Sequence, residues 1–446
     1  MFTLNDSLKV VFDSYYRVKE QLHGYDSDLR DLTGIRRVFE LAGIPLNGIP
    51  TITITGSKGK GSTSLLCSAF LEEMGYRVGL VTSPHLVEFR ERIRINGAAI
   101  PESDFIARIM ELETIVHSVD ATLEHGYLSP TGILLAAALN QFRRQGVDVL
   151  VLEAGRGGRF DDVSILQNQV SCLTPIMEEH LDKLGPTIQN VAWHKTGIIQ
   201  PNTTVISAPQ IPSVAAQIQQ TVQEQNARLW MVGDQIGYTQ KFTKPFHQDV
   251  HILLAPLATD LHISLHNPAH YLGLNAAVAL AAVFALINPT PAQAAAIGSR
   301  TPSLHFAGRC DKVCDAPLVF IDGAINRPSA TAFLDSVRPY LRPPVILITA
   351  LPEDKDFSGF LEVLMPIANA TILTTTTNQN LVFTNAVYEK ARQLSADALS
   401  IPNVHMALPQ AVAMAGTPGT ILAVGTQSFV RDALIFWQQD VQSIWS

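Results

Sequence analysis

The chain has 446 residues, of which 47% are hydrophobic and 16% charged, and its formal net charge is -8 at pH 7. This length exceeds what one ordinary hydrophobic core organises and predicts two domains, while the composition is typical of a well-buried globular enzyme rather than a disordered chain. The acidic balance and the lack of a long run of Lys and Arg argue against a nucleic-acid partner.

The start of the chain has neither a basic segment nor an apolar leader, and no uninterrupted apolar run reaches the length of a membrane span. We therefore expect a cytoplasmic protein with no membrane partner. Four scattered cysteines indicate a reducing compartment and thiols that are buried or idle: Cys67, Cys172, Cys310 and Cys314.

Helical and strand patterns alternate at the beginning of the chain. Residues 28–41 place five apolar side chains near helical spacing, which predicts one helix. The alternating β-branched run 51–55 then predicts a strand, and the apolar segment 65–74 predicts a helix. A turn rich in Gly and Lys lies between this strand and this helix.

That turn has the composition of a phosphate-binding loop. Its glycines let successive backbone N–H groups face inward, Lys60 adds a point charge, and the following helix presents its N-terminus. The spacing Gly-x-x-Gly-Lys-Gly-Ser differs from the strict eight-residue P-loop, and a turn that merely needs glycines is the simpler alternative. Because lysines and hydroxyl side chains are so dense here, we favour phosphate binding.

The next predicted strand spans 77–82. Ser83 follows it directly, and a highly charged segment comes shortly after. Residues 88–94 contain five charges in seven positions. A solvated surface face is the usual explanation for such a run.

Two further predicted strands end in polar side chains. The buried run 147–153 ends in Glu153, and the run 170–174 leads to His180. Doubly wound sheets bind ligands at the carboxyl ends of their strands, so both side chains are predicted to face the crevice of the phosphate loop. The alternatives are an acid that emerges into solvent and a structural histidine.

The rest of the chain divides at a pair of prolines. Residues 233–263 predict a short antiparallel insertion and 271–287 a helix rich in Ala and Leu; four strands separated by helices follow the prolines. We predict an α/β protein with an N-terminal P-loop-type domain at 1–296, built on a mostly parallel sheet, and a smaller C-terminal Rossmann-like α/β domain at 303–446.

Three segments resemble those of the folylpolyglutamate synthase/dihydrofolate synthase family of the Mur ligase superfamily. They are the loop Gly-Ser-Lys-Gly-Lys-Gly-Ser-Thr, the segment 82–97 and the segment Leu-Glu-Ala-Gly-Arg-Gly-Gly-Arg at 152–159. Later blocks continue in family order to about residue 430. The resemblance implies an ATP-dependent ligase that joins an amino acid, such as glutamate, to a folate-like or other small carboxylic acid through an acyl phosphate.

The resemblance also implies ligands and roles for particular residues. ATP and two Mg²⁺ ions are the expected cofactors, with Lys60, His180 and Lys195 as catalytic residues and Lys195 as a plain lysine or a carbamate. Ser83, Glu153 and His180 are the expected metal ligands. The expected nucleotide-binding residues are Gly56, Ser57, Lys58, Gly59, Lys60, Gly61, Ser62, Thr63, Asn275, Arg309 and Asp322.

Departures from the family pattern keep alternatives open. They comprise Lys58, Thr131, Gly132, Glu179, His194, Tyr271, Leu272, Ile325 and Arg327. Phosphate and metal positions are largely kept, whereas positions for adenine and the acid substrate differ. A ligase of specialised metabolism with a non-folate acid and a catalytically inactive nucleotide-binding partner protein are therefore the alternative hypotheses, and the sequence makes no prediction about oligomeric state.

Overall fold

The computed structural model describes residues 2–123 and 126–445. Its strands are β1 (Thr51–Thr55), β2 (Val78–Val81), β3 (Ile93–Ile95), β4 (Ala98–Ala99), β5 (Val149–Glu153), β6 (Val170–Leu173), β7 (Thr204–Ser207), β8 (Arg228–Met231), β9 (Ile236–Lys244), β10 (His247–Leu254), β11 (Thr259–His266), β12 (Asp311–Asp315), β13 (Leu318–Asp322), β14 (Val345–Thr349), β15 (Ala370–Leu373), β16 (Leu399–Ser400) and β17 (Thr420–Val424). Its α-helices are α1 (Leu4–Val18), α2 (Asp26–Leu29), α3 (Thr33–Leu41), α4 (Lys60–Glu73), α5 (Glu102–Met110), α6 (Glu113–Asp120), α7 (Pro130–Arg144), α8 (Leu181–Leu184), α9 (Ile188–Thr196), α10 (Pro212–Glu224), α11 (Tyr271–Ile287), α12 (Pro291–Ala296), α13 (Arg327–Val337), α14 (Phe357–Leu364), α15 (Asn385–Leu394), α16 (Val404–Ala415) and α17 (Gln427–Phe436).

The N-terminal domain is organised by an eight-stranded sheet in the order β4-β3-β2-β5-β1-β6-β7-β8. The six strands β2-β5-β1-β6-β7-β8 are parallel to one another. Strand β3 pairs antiparallel with both β2 and β4. Strand β1 lies between β5 and β6, so the carboxyl ends of these three strands share one edge. This edge is where a parallel sheet binds ligands.

Helices cover both faces of this sheet. Val149 and Val151 of β5 pack in the same core cluster as α4 and α11, while Leu150 and Leu152 pack with α7 on the opposite face. A strand buried on both faces explains the continuous apolar run of its sequence. The helix predicted over residues 28–41 is divided into α2 and α3, since Arg30 adopts an extended backbone conformation.

The predicted antiparallel insertion forms a three-stranded sheet in the order β11-β10-β9. Strand β10 alternates strictly between inward side chains, such as Val250 and Ile252, and outward ones. This alternation buries one face of the sheet and leaves the other accessible to water.

The C-terminal domain contains a six-stranded sheet in the order β12-β13-β17-β14-β15-β16, parallel except for β12. The predicted α/β fold with two sheet-based domains is therefore confirmed, while the boundary placed between residues 296 and 303 stays a prediction. Cys67, Cys172 and Cys310 are buried and no thiol forms a disulfide within the described ranges. Across residues 2–123 and 126–445, no helix combines the length and apolar character that a membrane crossing requires.

The charged segment 88–94 joins the two domains, so its interpretation as a solvated surface face is wrong. Glu91 is 3% exposed and Arg94 is 7% exposed. The Arg94 guanidinium donates hydrogen bonds to the carbonyl oxygens of Val441 and Gln442 at 2.7 and 2.8 Å. The chain end thereby returns to the N-terminal sheet, where Ala98 also forms a β-bridge to Ser443.

We predict that Arg94→Ala lowers the free energy of unfolding by about 2 to 3 kcal/mol, because it leaves buried carbonyl groups without a donor. Urea titration followed by tryptophan fluorescence measures this change. The control is Arg37→Ala, whose exposed ion pair with Glu40 should contribute less than about 1 kcal/mol. Equal losses in both variants would contradict a joining role for Arg94.

Candidate nucleotide and metal site

The Gly-Lys loop connects β1 to α4, and two of its glycines are required by its shape. A Cβ atom on Gly56, whose φ is +144°, would lie 1.9 Å from the Oγ1 atom of Thr174. One on Gly59, whose φ is +90°, would lie 2.7 Å from the Oδ1 atom of Asn275. The tight turn directs the N-terminus of α4 into the loop, which is the arrangement that backbone amides use for anions.

Hydrogen bonds fix this loop beside the segment that follows β6. The Ser57 hydroxyl accepts from the Met177 N–H at 2.9 Å, and the Ser57 N–H donates to the Pro175 carbonyl at 2.8 Å. The half-buried Lys60 ammonium donates to the Gly56 carbonyl at 2.8 Å. A positive charge is thus held at the mouth of the loop.

Glu153 and Ser83 meet at the carboxyl ends of β5 and β2. The Ser83 N–H donates to Glu153 Oε2 at 3.0 Å. Burial raises the pKa of Glu153 to about 7, although the positive charges of Lys60, Arg309 and Arg92 and the Ser83 hydrogen bond favour its ionised form. The carboxylate is 6% exposed, so the alternative of an acid that emerges into solvent is wrong.

Lys195 on α9 is completely buried, which excludes an ordinary surface lysine. Its ammonium donates to the carbonyl oxygens of Gly56 and Arg156, each at 2.8 Å, and to Glu179 Oε1 at 3.1 Å. Three acceptors match the three N–H donors of a plain lysine. Burial, followed by the charge of Lys60, lowers the pKa of Lys195 to about 7.

His180 immediately precedes α8 and adopts a left-handed backbone conformation with a φ of +51°. Burial lowers its pKa; the charges of Lys195, Arg156 and Lys60 act in the same direction, and that of Glu179 opposes them. His180 is exposed, in contrast to Glu153 and Lys195, and its lowered pKa favours the neutral imidazole, which is the form that ligates metals.

The C-terminal domain contributes Arg309 and Asp322 to the other side of the cleft. Asp322 is buried and accepts from the N–H groups of Cys310 and Ala324, both at 2.8 Å. Burial lowers the pKa of Lys58. The positive charges of Lys60 and Arg309 lower it further, whereas the negative charges of Glu179 and Asp322 raise it. The departure at Lys58 therefore lies where the two domains face each other.

Two buried polar groups have unused capacity for hydrogen bonding or coordination. Asn275 Nδ2 is buried without a hydrogen-bond partner in the described part of the chain, and its Oδ1 faces Gly59. Glu153 is a buried carboxylate with one hydrogen-bond donor, the Ser83 N–H. A carboxylate oxygen with capacity for a further ligand suits a hard cation such as Mg²⁺, so the residues present fit that ion.

Thr131, at the start of α7, contacts a carboxylate instead of open space. Its hydroxyl donates to Asp162 Oδ2 at 2.6 Å, and that oxygen also accepts from Ser129 at 2.6 Å and Arg30 at 2.8 Å. A cavity of about 30 Å³ lies between Thr131, Ser83 and Glu153. A space of this size holds one or two water molecules.

Two features of the site could not be identified from the sequence. Arg92, whose charge favours ionised Glu153, belongs to the segment read as a solvated face. Arg156 forms a bidentate ion pair with Asp26 at 2.7 and 2.8 Å, and no local pattern marks Asp26 as its partner. The buried residues of 88–94 are Glu91, Ile93 and Arg94, a spacing that neither a helical nor a strand period predicts.

The sequence and fold are similar to those of known proteins. The Mur ligase middle domain family matches residues 101–283. The dihydrofolate synthase/folylpolyglutamate synthase of Escherichia coli K12 is 31% identical over 363 residues, which cover 80% of each chain. A Mycobacterium tuberculosis folylpolyglutamate synthase complexed with ADP is 24% identical, with a TM-score of 0.86 over 98% of this chain and 100% of that one. Escherichia coli FolC in complex with DHPP and ADP is 26% identical, with a TM-score of 0.79 over 96% and 97%.

We predict that Glu153→Gln removes a pH-dependent destabilisation of the metal-free protein. Because burial raises the pKa of Glu153 from 4.5 to about 7, the folded state holds a proton in this interval that the unfolded chain releases. The free energy of unfolding of the parent protein therefore falls as pH rises through this interval. The variant should match the parent near pH 5 and exceed its free energy of unfolding near pH 8 by about 2 to 3 kcal/mol.

Urea titrations in the presence of a chelator at both pH values measure this difference. The control is Glu20→Gln, which changes an exposed carboxylate. A difference between Glu153→Gln and the parent that is the same at both pH values would contradict the assignment.

Proposed function

Because the chain belongs to the dihydrofolate synthase/folylpolyglutamate synthase family of Mur ligases, we propose that it is an ATP-dependent ligase that forms a C–N bond. Its proposed substrates are glutamate and a folate-like carboxylic acid. The observation that carries this proposal is that Lys195 and Glu153 lie against the phosphate loop at the carboxyl ends of β1, β5 and β6, with His180 in the segment that follows β6. The ADP complexes of the similar structures support the nucleotide.

Ser83, Glu153 and His180 are the proposed metal ligands. Their hydroxyl and carboxylate oxygens and neutral imidazole are compatible with Mg²⁺. A bound Mg²⁺ would neutralise phosphate charge. We propose two such ions, in keeping with the separate positions of the Ser83–Glu153 pair and His180.

In the proposed reaction, a carboxylate oxygen of the acid attacks the γ-phosphorus of ATP and ADP leaves, which produces an acyl phosphate. The amino nitrogen of glutamate then attacks the carbonyl carbon, the nitrogen loses a proton and phosphate leaves. Lys60 and the N–H groups at the start of α4 hold phosphate oxygens, and Ser57, Lys58, Gly61, Ser62 and Thr63 line the same turn. Positioning and charge compensation of this kind lower the barrier without a nucleophilic side chain.

Lys195 has a positioning role in this proposal because its ammonium holds the Gly56 carbonyl and Glu179 on either side of the loop. Arg309 and Asp322 approach from the C-terminal domain and Asn275 from α11. The cleft then places cations around the phosphates and limits the access of water to the reactive acyl group.

A non-folate acid is the second candidate. Thr131 is hydrogen-bonded to Asp162, and the adjoining cavity between Thr131, Ser83 and Glu153 has a volume of about 30 Å³, which is small for a bicyclic ring. These observations favour an acid with a smaller end, or a rearrangement of the segments around Ser83 on binding. The clustered charges of Lys60, Glu153 and Lys195 give no support to an inactive nucleotide-binding partner.

We predict that ADP release requires both an acid and an amine, because phosphoryl transfer needs the carboxylate and turnover needs the attacking nitrogen. A coupled assay with pteroate, dihydropteroate, tetrahydrofolate and non-pterin aromatic acids, each with and without glutamate, measures this dependence; mass spectrometry identifies the product. Turnover with pterin acids supports the folate proposal, and turnover restricted to other acids supports the second candidate. A lack of turnover with every pair would contradict the proposed function.

We predict that Lys60→Met lowers kcat/KM for ATP by about 10²- to 10³-fold, because it removes a fixed charge at the phosphates. Steady-state kinetics with varied ATP measures the effect. The matched control is Lys241→Met on the exposed face of β9, which should retain parental kinetics. An equal change in the two variants would exclude a specific role for Lys60.

A further inference from the structure

The outward face of the antiparallel sheet carries a cluster of side chains of metal-ligating types, none of which belongs to the nucleotide site described above. His251 of β10 lies directly opposite His262 of β11. Asp260 precedes His262 by two residues, so the three side chains project from the same face of the sheet. All three side chains are accessible to solvent.

The distances within this cluster suit shared coordination of one ion. The imidazole rings of His251 and His262 are stacked with centroids 4.3 Å apart and an angle of 8° between their planes. His251 Nε2 is hydrogen-bonded to Asp260 Oδ1, and His262 Nε2 lies 3.8 Å from the same oxygen. One potential ligand atom from each residue lies within 4.8 Å of the others. Bonds of about 2.0 to 2.2 Å to a central Zn²⁺ require ligand atoms in nearly this arrangement, with small side-chain rotations.

We propose that His251, Asp260 and His262 form a binding site for a divalent transition-metal ion, with Zn²⁺ as the preferred probe. Two imidazole nitrogens and one carboxylate oxygen are ligands that this class of ion favours over Mg²⁺. The exposed face leaves a further coordination position for water or for another ligand. The ion would cross-link β10 to β11 beside the turn that joins them, independently of the ligase function proposed above.

A second histidine pair on the same sheet provides an internal comparison. His247 and His266 are also cross-strand neighbours, with ring centroids 4.2 Å apart. Within the described ranges, no carboxylate completes a group of three with this pair. Burial lowers the pKa of His266; the charges of His247 and Lys312 act in the same direction, and that of Asp315 opposes them. Stacked imidazoles alone therefore do not distinguish the proposed site; the carboxylate of Asp260 does.

Isothermal titration of the full chain with Zn²⁺, in the absence of nucleotide, tests the proposal. Because His180 and Glu153 provide a competing set of ligands, the titrations use a His180→Ala background. We expect one Zn²⁺ per chain in this background, and an affinity that falls by about tenfold or more in His262→Ala and in Asp260→Asn. His266→Ala is the matched control and should keep the affinity of the background.

Two outcomes would overturn the proposal. One is an unchanged Zn²⁺ affinity after substitution of His262 and Asp260, and the other is an equal loss in His266→Ala. Circular dichroism of each variant confirms that the fold is kept. Since ADP release is measured separately, loss of zinc binding and loss of ligase activity are distinguishable results.

Discussion

The buried ammonium of Lys195 is the interaction on which the arrangement of the site depends. It joins the carbonyl of Gly56 in the phosphate loop, the carbonyl of Arg156 after β5 and the carboxylate of Glu179 after β6. These segments follow three adjacent parallel strands, so one side chain sets their relative positions. Removing a charged group from water is costly, and three acceptors in suitable geometry offset that cost.

The electrostatics of the cleft oppose those of the whole chain. The protein carries a net charge of -8, yet Lys60, Arg92 and Arg309 all act on the buried carboxylate of Glu153. Concentrated positive charge near a low-dielectric wall attracts an anionic nucleotide despite the overall acidity. Arg309 also depends on its neighbours, because its carbonyl accepts a hydrogen bond from Asn267 at the end of the antiparallel sheet.

The phosphate loop and the strands that end near it could be predicted because their patterns are local. A β-branched run, a turn with glycines and an apolar helix each reflect the conformational preferences of their own residues. The burial of segment 88–94 could not be predicted from its sequence, because charged side chains are usually exposed unless a distant group pairs with them. The partners of Arg94 lie at residues 441 and 442. Asp26 and its pairing with Arg156 were missed for the same reason.

The sequence by itself determined the α/β class and the order of the elements, and its family resemblance predicted most of the polar residues assigned to the cleft. Only the tertiary structure decided that Lys195 is fully buried, that Glu179 is its partner and that Lys58 faces Arg309 and Asp322 across the cleft. It likewise brought His251 and His262 into register. The physical reason is that burial, charge coupling and cross-strand pairing depend on contacts between residues far apart in the chain, whereas helix, strand and turn patterns depend on neighbours.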